Sequence, residues 1–548
     1  MEQTTAEVPS SAGVPPAERT EGLFARKSSG LVRELGTRDA FSIAMGGIAI
    51  AGTAIVALVL LSVVPQADLT IPLLGGAAAA ALLALVYAQL VATLPRAGGD
   101  YVFASRIFHP VVGAGLGGAV FLALVLGAGT NAILFAQLIV PFFFTGIGDS
   151  LGSSAISGWA DDFSGKGGQF LLVAFYMLVV LGVSLLRPRS VARILFWLFG
   201  LSAVAVLILM TLFLLNDNSG FQSAFNATSG DGSYNRVLAA AAAAGFEPGV
   251  ITSSVIAAIP FGGVTFLGLT YAVFPGGEIR RPSRTFLIAG LAAVGVTLFA
   301  ALGLWLLLKR SAGLEFLQSV SFLFGSDPEA LEEATSIGAS PADYGLVLSG
   351  DPVTKTLISI GILGAIIAPA ISLVLAASRV LFALSFDRLV PRWTTNVDKR
   401  SNAPVNAVLV ALLVAMIFAT LGIYTSVLTV FRNVTLVFLA IFVVASFAAI
   451  VLPYRRKDLY EASPKLFGRV GGVPLIVLIG LVSLAANGFL AYLAATKAEF
   501  TGGYDTGSVI TLASVALVGV VAYVVSRAAL SRKGRIDPAL AMRELPPE

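Results

Sequence analysis

The chain has 548 residues, of which 57% are hydrophobic and only 12% charged, and its mean hydropathy is +0.90. Soluble globular chains are about 45–50% apolar and about 25% charged, so this composition excludes a soluble enzyme, a disordered chain and a nucleic-acid-binding protein. The formal net charge is +4, but the positions of the charges along the chain are more informative about the fold than this sum. The sequence has no cysteine and a single histidine, His109, which excludes disulfides, iron–sulfur clusters and thiolate or histidine-rich metal sites.

The chain begins with a polar segment and then becomes apolar. Residues 1–40 contain Pro, Ser, Thr and mixed charge without the apolar run of a signal peptide, which indicates a cytoplasmic, mobile N-terminal tail. Residues 41–64 follow without a single charge. At about 1.5 Å per residue, a helix of this length crosses a hydrocarbon core of about 30 Å.

Applied along the whole chain, this rule predicts an all-α integral membrane protein with about 12 transmembrane helices, here called spans 1 to 12. Their predicted ranges, with errors of about four residues, are 41–64, 71–94, 111–145, 169–186, 194–215, 250–275, 285–308, 356–378, 404–423, 427–453, 473–495 and 508–526. Span 3 is too long for one perpendicular helix, so we expect it to be tilted or broken. Residues 527–548 remain as a cytoplasmic C-terminal tail.

The distribution of Lys and Arg orients these spans. With the N-terminus inside, the two tails and the loops after even-numbered spans carry 28 Lys and Arg, the opposite loops carry 6, and one lies within span 10. Cytoplasmic loops of membrane proteins are enriched in Lys and Arg. The split therefore predicts a multi-pass protein of the plasma (inner) membrane with both termini cytoplasmic.

The acidic residues narrow the class of membrane protein. All 31 Asp and Glu fall in loops, in tails or at helix edges, so the buried acid–base chains of proton pumps are missing. The sequence contains neither the G-x-x-x-x-G-K-[ST] motif of nucleotide-driven motors nor a TVGYG channel filter. What remains is a carrier that binds a small solute largely through its backbone, with no nucleotide, nucleic acid, metal or cofactor expected.

Spans 1 and 6 share an unusual centre. Both carry glycines at mid-membrane depth, and span 6 adds a proline: Gly46, Gly47, Gly52, Pro260, Gly262, Gly263 and Gly268. Interrupted helices at corresponding places in two halves indicate a transporter site, because freed backbone groups in lipid need a cavity or a ligand. The offset of five spans predicts an inverted five-plus-five repeat over about 41–215 and 250–453, with two added helices over about 473–526. The alternative is that these glycines only allow close helix packing.

Five segments now support a family resemblance. They are LPRAGGDYVFASRIFHP after span 2, GGEIRRPSRTF after span 6, SRVLFALSFDRLVPRW at the end of span 8, SNAPVNAV before span 9 and LPYRRKDL at the end of span 10. In this order and at these topological places, the sequence resembles the amino acid–polyamine–organocation (APC) superfamily of permeases. The resemblance implies the inverted-repeat fold of that superfamily over about residues 31–475.

The sequence also departs from the family pattern. Only Gly52 remains of the two glycines usual in the family's span 1 core, while Gly46 and Gly47 stand just upstream. Leu269 replaces the aromatic that often follows the span 6 glycine, so we expect Phe266, the nearest aromatic, to serve as the lid of the site.

The resemblance implies a substrate site between spans 1 and 6. A substrate carboxylate would meet backbone amides of span 1 near residues 47–52, and an ammonium would meet carbonyls of span 6 near residues 264–268. Helix termini carry about half a unit charge each, so two broken helices suit a zwitterion without charged side chains. The candidate binding residues are Gly46, Gly47, Ala49, Ala51, Gly52, Asn131, Gly262, Gly263, Phe266 and Gly268.

Four polar residues have open interpretations. Asn131 in span 3 contacts substrate or makes a helix–helix hydrogen bond. Ser202 lies where a proton-coupled branch of the family has a lysine, and Ser372 offers a hydroxyl to Na⁺ or merely packs; both are candidates for H⁺ or Na⁺ coupling. Arg432 either attracts a substrate carboxylate in the outer vestibule or extends its side chain to the membrane surface.

The sequence therefore predicts a secondary active transporter of amino acids or related organic amines. Its partners would be a small-molecule substrate and the lipid bilayer. A carrier of another small metabolite, such as a monocarboxylate, is the alternative. A sensor or structural subunit is less favoured because tails of about 40 and 20 residues are too short to fold alone. A membrane enzyme is less favoured still, since metal ligands and buried acid–base pairs are missing.

Overall fold

The computed structural model describes residues 31–52, 61–425, 434–496 and 506–532. Within these ranges the chain is almost entirely helical. One short antiparallel hairpin pairs β1 (Arg469–Val470) with β2 (Val473–Pro474). The prediction of an all-α protein is confirmed for these residues.

Eleven of the described helices are long and apolar enough to cross a membrane. They are span 2 (Thr70–Thr93), span 3 (Pro110–Leu151), span 4 (Lys166–Ser184), span 5 (Pro188–Leu215), span 6 (Thr252–Val273), span 7 (Pro282–Ala312), span 8 (Pro352–Phe386), span 9 (Val405–Tyr424), span 10 (Val434–Arg455), span 11 (Leu475–Thr496) and span 12 (Thr506–Arg532). Span 1 is described only as a helix, Thr37–Ile48, and a 3₁₀ turn, Ile50–Gly52. Eleven spans together with span 1 match the number read from the apolar runs.

Spans 3 and 8 depart from the prediction in different ways. Span 3 consists of Pro110–Leu134, a π-helical turn at Phe135–Ile139, and Val140–Leu151, so it is not one regular helix. Span 8 continues to Phe386, eight residues beyond its predicted end at 378. The extension begins with a charged residue, Arg379, at which a rule based on apolar runs ends the span, although Arg379 and Ser385 are both only 1% exposed.

One end of the bundle, here called the terminal face, collects the segments next to both chain ends. The N–H groups of Glu34 and Leu35 donate to the Glu278 carbonyl, and the Ser526 hydroxyl donates to the Arg388 carbonyl. Short helices on this face are Asp100–Ile107, Gly276–Glu278, Arg392–Thr395 and Lys457–Ala462. The N-terminal tail was predicted to end at residue 40, but the helix of span 1 already begins at Thr37. Residues 1–30 and 533–548 lie outside the described residues.

The opposite end, here called the distal face, carries a helical cap that the sequence reading did not predict. Its helices are Ser154–Asp162, Asn218–Ser229, Ser233–Ala243, Leu314–Ser326, Pro328–Ala334 and Pro341–Leu348. A cluster of rings holds the cap together, with Tyr234 and Phe316 stacked at a centroid separation of 4.4 Å. These helices were missed because they are too polar or too short for the membrane-length rule.

Each of the first three spans packs against the span five positions later in the chain. Span 1 contacts the second part of span 6, span 2 contacts span 7, and span 3 contacts span 8. Spans 10 and 11 pack against each other, and span 12 packs on span 3. The pairing agrees with two similar halves, while their inverted relation remains a prediction.

Candidate functional site

Span 1 is interrupted in its centre. Its helix ends at Ile48, and Ala49 has φ 54° and ψ 66°, the left-handed region that side-chain-bearing residues rarely adopt. The Ala49 N–H still donates to the Met45 carbonyl, and the Gly52 N–H donates to the Ala49 carbonyl in a new 3₁₀ turn. A strained backbone of this kind is concentrated at binding sites, where the surrounding structure maintains it.

Span 6 is interrupted at the matching depth. Its α-helix runs from Thr252 to Val264 and is followed by a 3₁₀ segment, Leu267–Val273. Pro260 lies inside the helix and removes one backbone donor just before the break. The interruptions expected from the glycines are therefore present in both spans.

The two breaks touch through glycines. A methyl group placed on Gly268 would collide with the backbone of Gly47, and one placed on Gly47 would lie 2.9 Å from the Gly268 α-carbon. Gly262 has the same relation to the carbonyl of Pro72 in span 2. Gly52 differs, because among the described residues the nearest neighbour of a methyl group there would be the Ala49 methyl at 3.5 Å. Close packing, the alternative weighed above, therefore accounts for Gly262 and Gly268 but not for Gly52.

A cavity of about 350 Å³ opens beside these breaks. Span 1 contributes Gly47, Ile48, Ala49 and Gly52, and span 6 contributes Phe261, Gly262, Val264, Thr265, Leu267 and Tyr271. Spans 2, 3, 7 and 8 complete the wall, and Pro341 of the cap covers it from the distal side. The volume is of the order found for small-molecule sites.

The described residues that line this cavity include no charged side chain. The polar ones are Asn131, Thr265, Tyr271 and Trp305. Two of them are already bonded within their own helices: the Asn131 amide donates to the Gly127 carbonyl at 2.9 Å, and the Thr265 hydroxyl donates to the Phe261 carbonyl at 3.1 Å. Burying an isolated charge in such surroundings is costly. The wall therefore suits the apolar part of a ligand. The polar groups of the ligand would have to bind to backbone groups at the breaks in spans 1 and 6.

The cavity brings together five of the ten candidate binding residues: Gly47, Ala49, Gly52, Asn131 and Gly262. Gly46, Ala51, Gly263, Phe266 and Gly268 are not among its lining residues. Phe266 is buried and lines, with Gly263, a much smaller void between spans 2, 6, 10 and 11. Tyr271, in the 3₁₀ segment after the break, does line the central cavity, as does Phe261 before the break.

The coupling candidates lie at helix contacts. The Ser202 hydroxyl donates to the Gly361 carbonyl at 3.2 Å and joins span 5 to span 8. The Ser372 hydroxyl donates to the Ile43 carbonyl at 3.2 Å and joins span 8 to span 1, beside Gly46. Arg432 lies outside the described residues.

Two buried ion pairs connect separate segments of the chain at the terminal face. Arg379 of span 8 donates to both carboxylate oxygens of Glu278, at 2.9 and 3.2 Å. Arg106 pairs with Asp387 at 2.7 Å, and the same carboxylate accepts a hydrogen bond from the Tyr101 hydroxyl.

Arg280 is the basic residue nearest to Glu278 in the chain, but the ion pair of Glu278 is with Arg379. Arg280 donates instead to the Arg33 carbonyl. The family segments contain Glu278 and Arg379, but a separation of 101 residues gives no local signal that they pair.

The distal mouth of the cavity carries a further polar group that the sequence reading missed. Asp68 lies just before span 2 and accepts hydrogen bonds from the Trp305 indole at 2.9 Å and from the Lys309 ammonium at 2.8 Å, both on span 7. The backbone and hydroxyl of Thr70 donate to it as well. Burial alone would raise the pKa of Asp68, but these donors outweigh it and lower the pKa to about 2.

Comparison with known proteins identifies the family. The amino acid permease family model matches residues 35–522, nearly all of the chain. The chain belongs to the amino acid permease family. This permease is 23% identical to an uncharacterised transporter of Rhizobium meliloti over 61% of its own length and 62% of that protein. It is 26% identical to uncharacterised transporters of Mycobacterium bovis and Mycobacterium tuberculosis over 50% of its length and 51% of theirs. The matched region thus spans less than two thirds of these relatives.

Proposed function

We propose that this permease is a secondary active transporter, not an enzyme, that carries amino acids or related organic amines across the plasma membrane by alternating access. The observation that carries the proposal is the central cavity, which lies where the interruptions of spans 1 and 6 meet and has no charge among its described lining side chains. A carrier must bind its solute reversibly at a site that both sides of the membrane can reach. A broken helix pair supplies backbone groups for such binding.

The breaks supply both signs of partial charge. The helix of span 6 ends at Val264, which lines the cavity, and this end carries partial negative charge that would attract an ammonium. The 3₁₀ turn Ile50–Gly52 follows the break in span 1, and its backbone amides would attract a carboxylate. An α-amino acid presents both groups on one carbon. Its side chain then extends among the apolar residues of spans 2, 3, 7 and 8.

The remaining features of the proposal concern orientation and energy. We place the terminal face in the cytoplasm, because this face collects the Lys- and Arg-rich loops. The driving force would be an H⁺ or Na⁺ gradient and no cofactor. Ser372 and the Ile43 carbonyl are the oxygens proposed to approach Na⁺, since they already lie together at the contact of spans 1 and 8.

Uptake by the purified protein in proteoliposomes tests this function. The panel contains labelled leucine, phenylalanine, arginine, glutamate, putrescine and lactate, each with and without a pH or Na⁺ gradient. We expect saturable uptake of neutral amino acids and little uptake of arginine or glutamate, whose second charge would be buried in the apolar wall. Uptake of lactate alone would favour the monocarboxylate alternative, and uptake of nothing in the panel would overturn the proposal.

A further inference from the structure

Trp305 is the largest side chain in the wall of the central cavity. It lies on span 7 with Ala301, Leu304 and Leu308, which line the same wall, and it is only 3% exposed. A buried indole N–H needs an acceptor, and the direction of that acceptor determines how the ring lies. Here the acceptor is Oδ1 of Asp68, at 2.9 Å.

Asp68 is itself held in place from two sides. Its Oδ1 also accepts from the Thr70 backbone at 2.9 Å and from the Thr70 hydroxyl at 2.6 Å, and its Oδ2 accepts from Lys309 at 2.8 Å. The Asp68 and Lys309 side chains are 20% and 29% exposed, so the pair lies at the edge of the cap and not within the cavity. Hydrogen bonds to an ionised carboxylate are shorter and stronger than neutral ones.

The position of this carboxylate connects it to the cavity. Leu69, Pro72 and Leu73, which lie within five residues after Asp68 in the chain, line the cavity beside span 7. The bond from Trp305 to Asp68 therefore joins the neighbouring walls that spans 2 and 7 contribute. A ring fixed in this way limits how far a ligand can extend along span 7.

We propose that Asp68 is a positioning residue that holds the indole of Trp305 as the wall limiting the size of the substrate's apolar side chain. This inference rests on the proposed function, because it takes the central cavity as the substrate site. Lys309 bonds to Oδ2 of Asp68, the oxygen that does not accept from Trp305, and it does not line the cavity. The separate possibility, an ion pair that only stabilises the fold, makes different predictions.

The test compares uptake of alanine, leucine, phenylalanine and tryptophan by the parent and by Trp305→Phe, Asp68→Ala and Lys309→Gln. We expect Trp305→Phe and Asp68→Ala to raise kcat/KM for tryptophan relative to leucine by about tenfold, since changes of a few methylenes in an apolar pocket have effects of this size. Lys309→Gln, which leaves the indole acceptor in place, should keep the ratio within about twofold. Asp458→Ala, which removes an ion-paired carboxylate on the terminal face, is the matched control.

A ratio that is unchanged in both Trp305→Phe and Asp68→Ala, with transport retained, would overturn the proposal. A second measurement covers the case in which a variant or the parent does not transport. The chain has four tryptophans, so replacing Trp159, Trp197 and Trp393 with Phe leaves Trp305 as the reporter. Asp68→Ala should increase acrylamide quenching of its fluorescence, and Lys309→Gln should not. If the parent protein shows no uptake but the variants show this quenching pattern, the proposed function is rejected and the positioning role of Asp68 is retained. If quenching is equal in all variants, the positioning role itself is rejected.

Discussion

Gly268 of span 6 lies directly against the backbone of Gly47 of span 1, so closely that neither position has room for a methyl group toward the other. The two interrupted spans therefore touch through their backbones at the cavity. Glycine at these positions is required by packing, whereas Gly52 lines the cavity, and the nearest described neighbour of a methyl group there would be the Ala49 methyl at 3.5 Å. The two kinds of glycine should respond differently to the same substitution.

Gly268→Ala should destabilise the protein, because overpacking at a backbone contact costs about 1–3 kcal/mol or more. Gly52→Ala should leave the melting temperature in detergent nearly unchanged and raise KM, because its methyl group enters the cavity. Thermal unfolding and uptake by the two variants check this pair. Equal stability of both variants would show that the Gly47–Gly268 contact is not as tight as described.

Ala49 offers a second test of the break in span 1. A left-handed conformation costs roughly 1–2 kcal/mol for a residue with a β-carbon, and glycine avoids this cost at some loss of chain entropy. Ala49→Gly should therefore stabilise the protein by up to about 1 kcal/mol, and Ala49→Val should destabilise it. Melting curves of the two variants measure both effects; a loss of stability in Ala49→Gly would contradict the left-handed assignment.

The buried pair of Glu278 and Arg379 should matter for stability more than any exposed pair. Glu278→Gln leaves an arginine 1% exposed without its counter-charge, and breaking a buried pair in this way costs about 3–5 kcal/mol. The double variant Glu278→Leu with Arg379→Met removes both charges and should recover part of this loss. Asp458→Ala, at a largely exposed pair, should change stability by less than about 1 kcal/mol. If the double variant is no more stable than Glu278→Gln, Glu278 and Arg379 do not act as an isolated ion pair.

The sequence predicted the features that depend on local composition and missed those that depend on distant contacts. Apolar length located the spans, and the glycines with Pro260 located both breaks. The partner of Trp305 could not be inferred, because Asp68 is 237 residues away in the chain. Phe266 was assigned to the site by its nearness to Gly268, but the 3₁₀ turn that begins at Leu267 changes the direction of successive side chains. The ring of Tyr271, five residues after Phe266, lines the cavity instead.

Orientation can be measured directly because the chain has no cysteine. Ser336 on the distal face and Lys399 on the terminal face are both exposed, which makes them suitable for single cysteine substitutions. With the terminal face in the cytoplasm, Ser336→Cys should react with an impermeant maleimide in intact cells, and Lys399→Cys only after permeabilisation. The reverse pattern would require the opposite orientation.

Asp100 should make stability depend on pH. It lies between spans 2 and 3, is 3% exposed, and accepts a hydrogen bond from the Tyr87 hydroxyl at 2.7 Å. Arg106 of the same helix is paired with Asp387 and does not compensate it. Burial raises the pKa of Asp100 from 3.8 to about 7, even though the bonds from Tyr87 and from its own backbone act in the opposite direction.

The sign follows from proton binding. Between about pH 4 and pH 7 the folded protein keeps the Asp100 proton that the unfolded chain has released, so stability falls as the pH rises through this window. Above pH 7 Asp100 is ionised in both the folded and the unfolded state, and the loss of stability is complete, with an upper limit of about 4 kcal/mol. Asp100→Asn keeps an oxygen acceptor for Tyr87 and removes the titration. We therefore expect the variant and the parent to melt at similar temperatures near pH 4.5 and the variant to melt higher at pH 8, because other titrating groups cancel in the difference. A difference in melting temperature that stays constant from pH 4.5 to pH 8 would mean that Asp100 is ionised in the folded protein throughout this range.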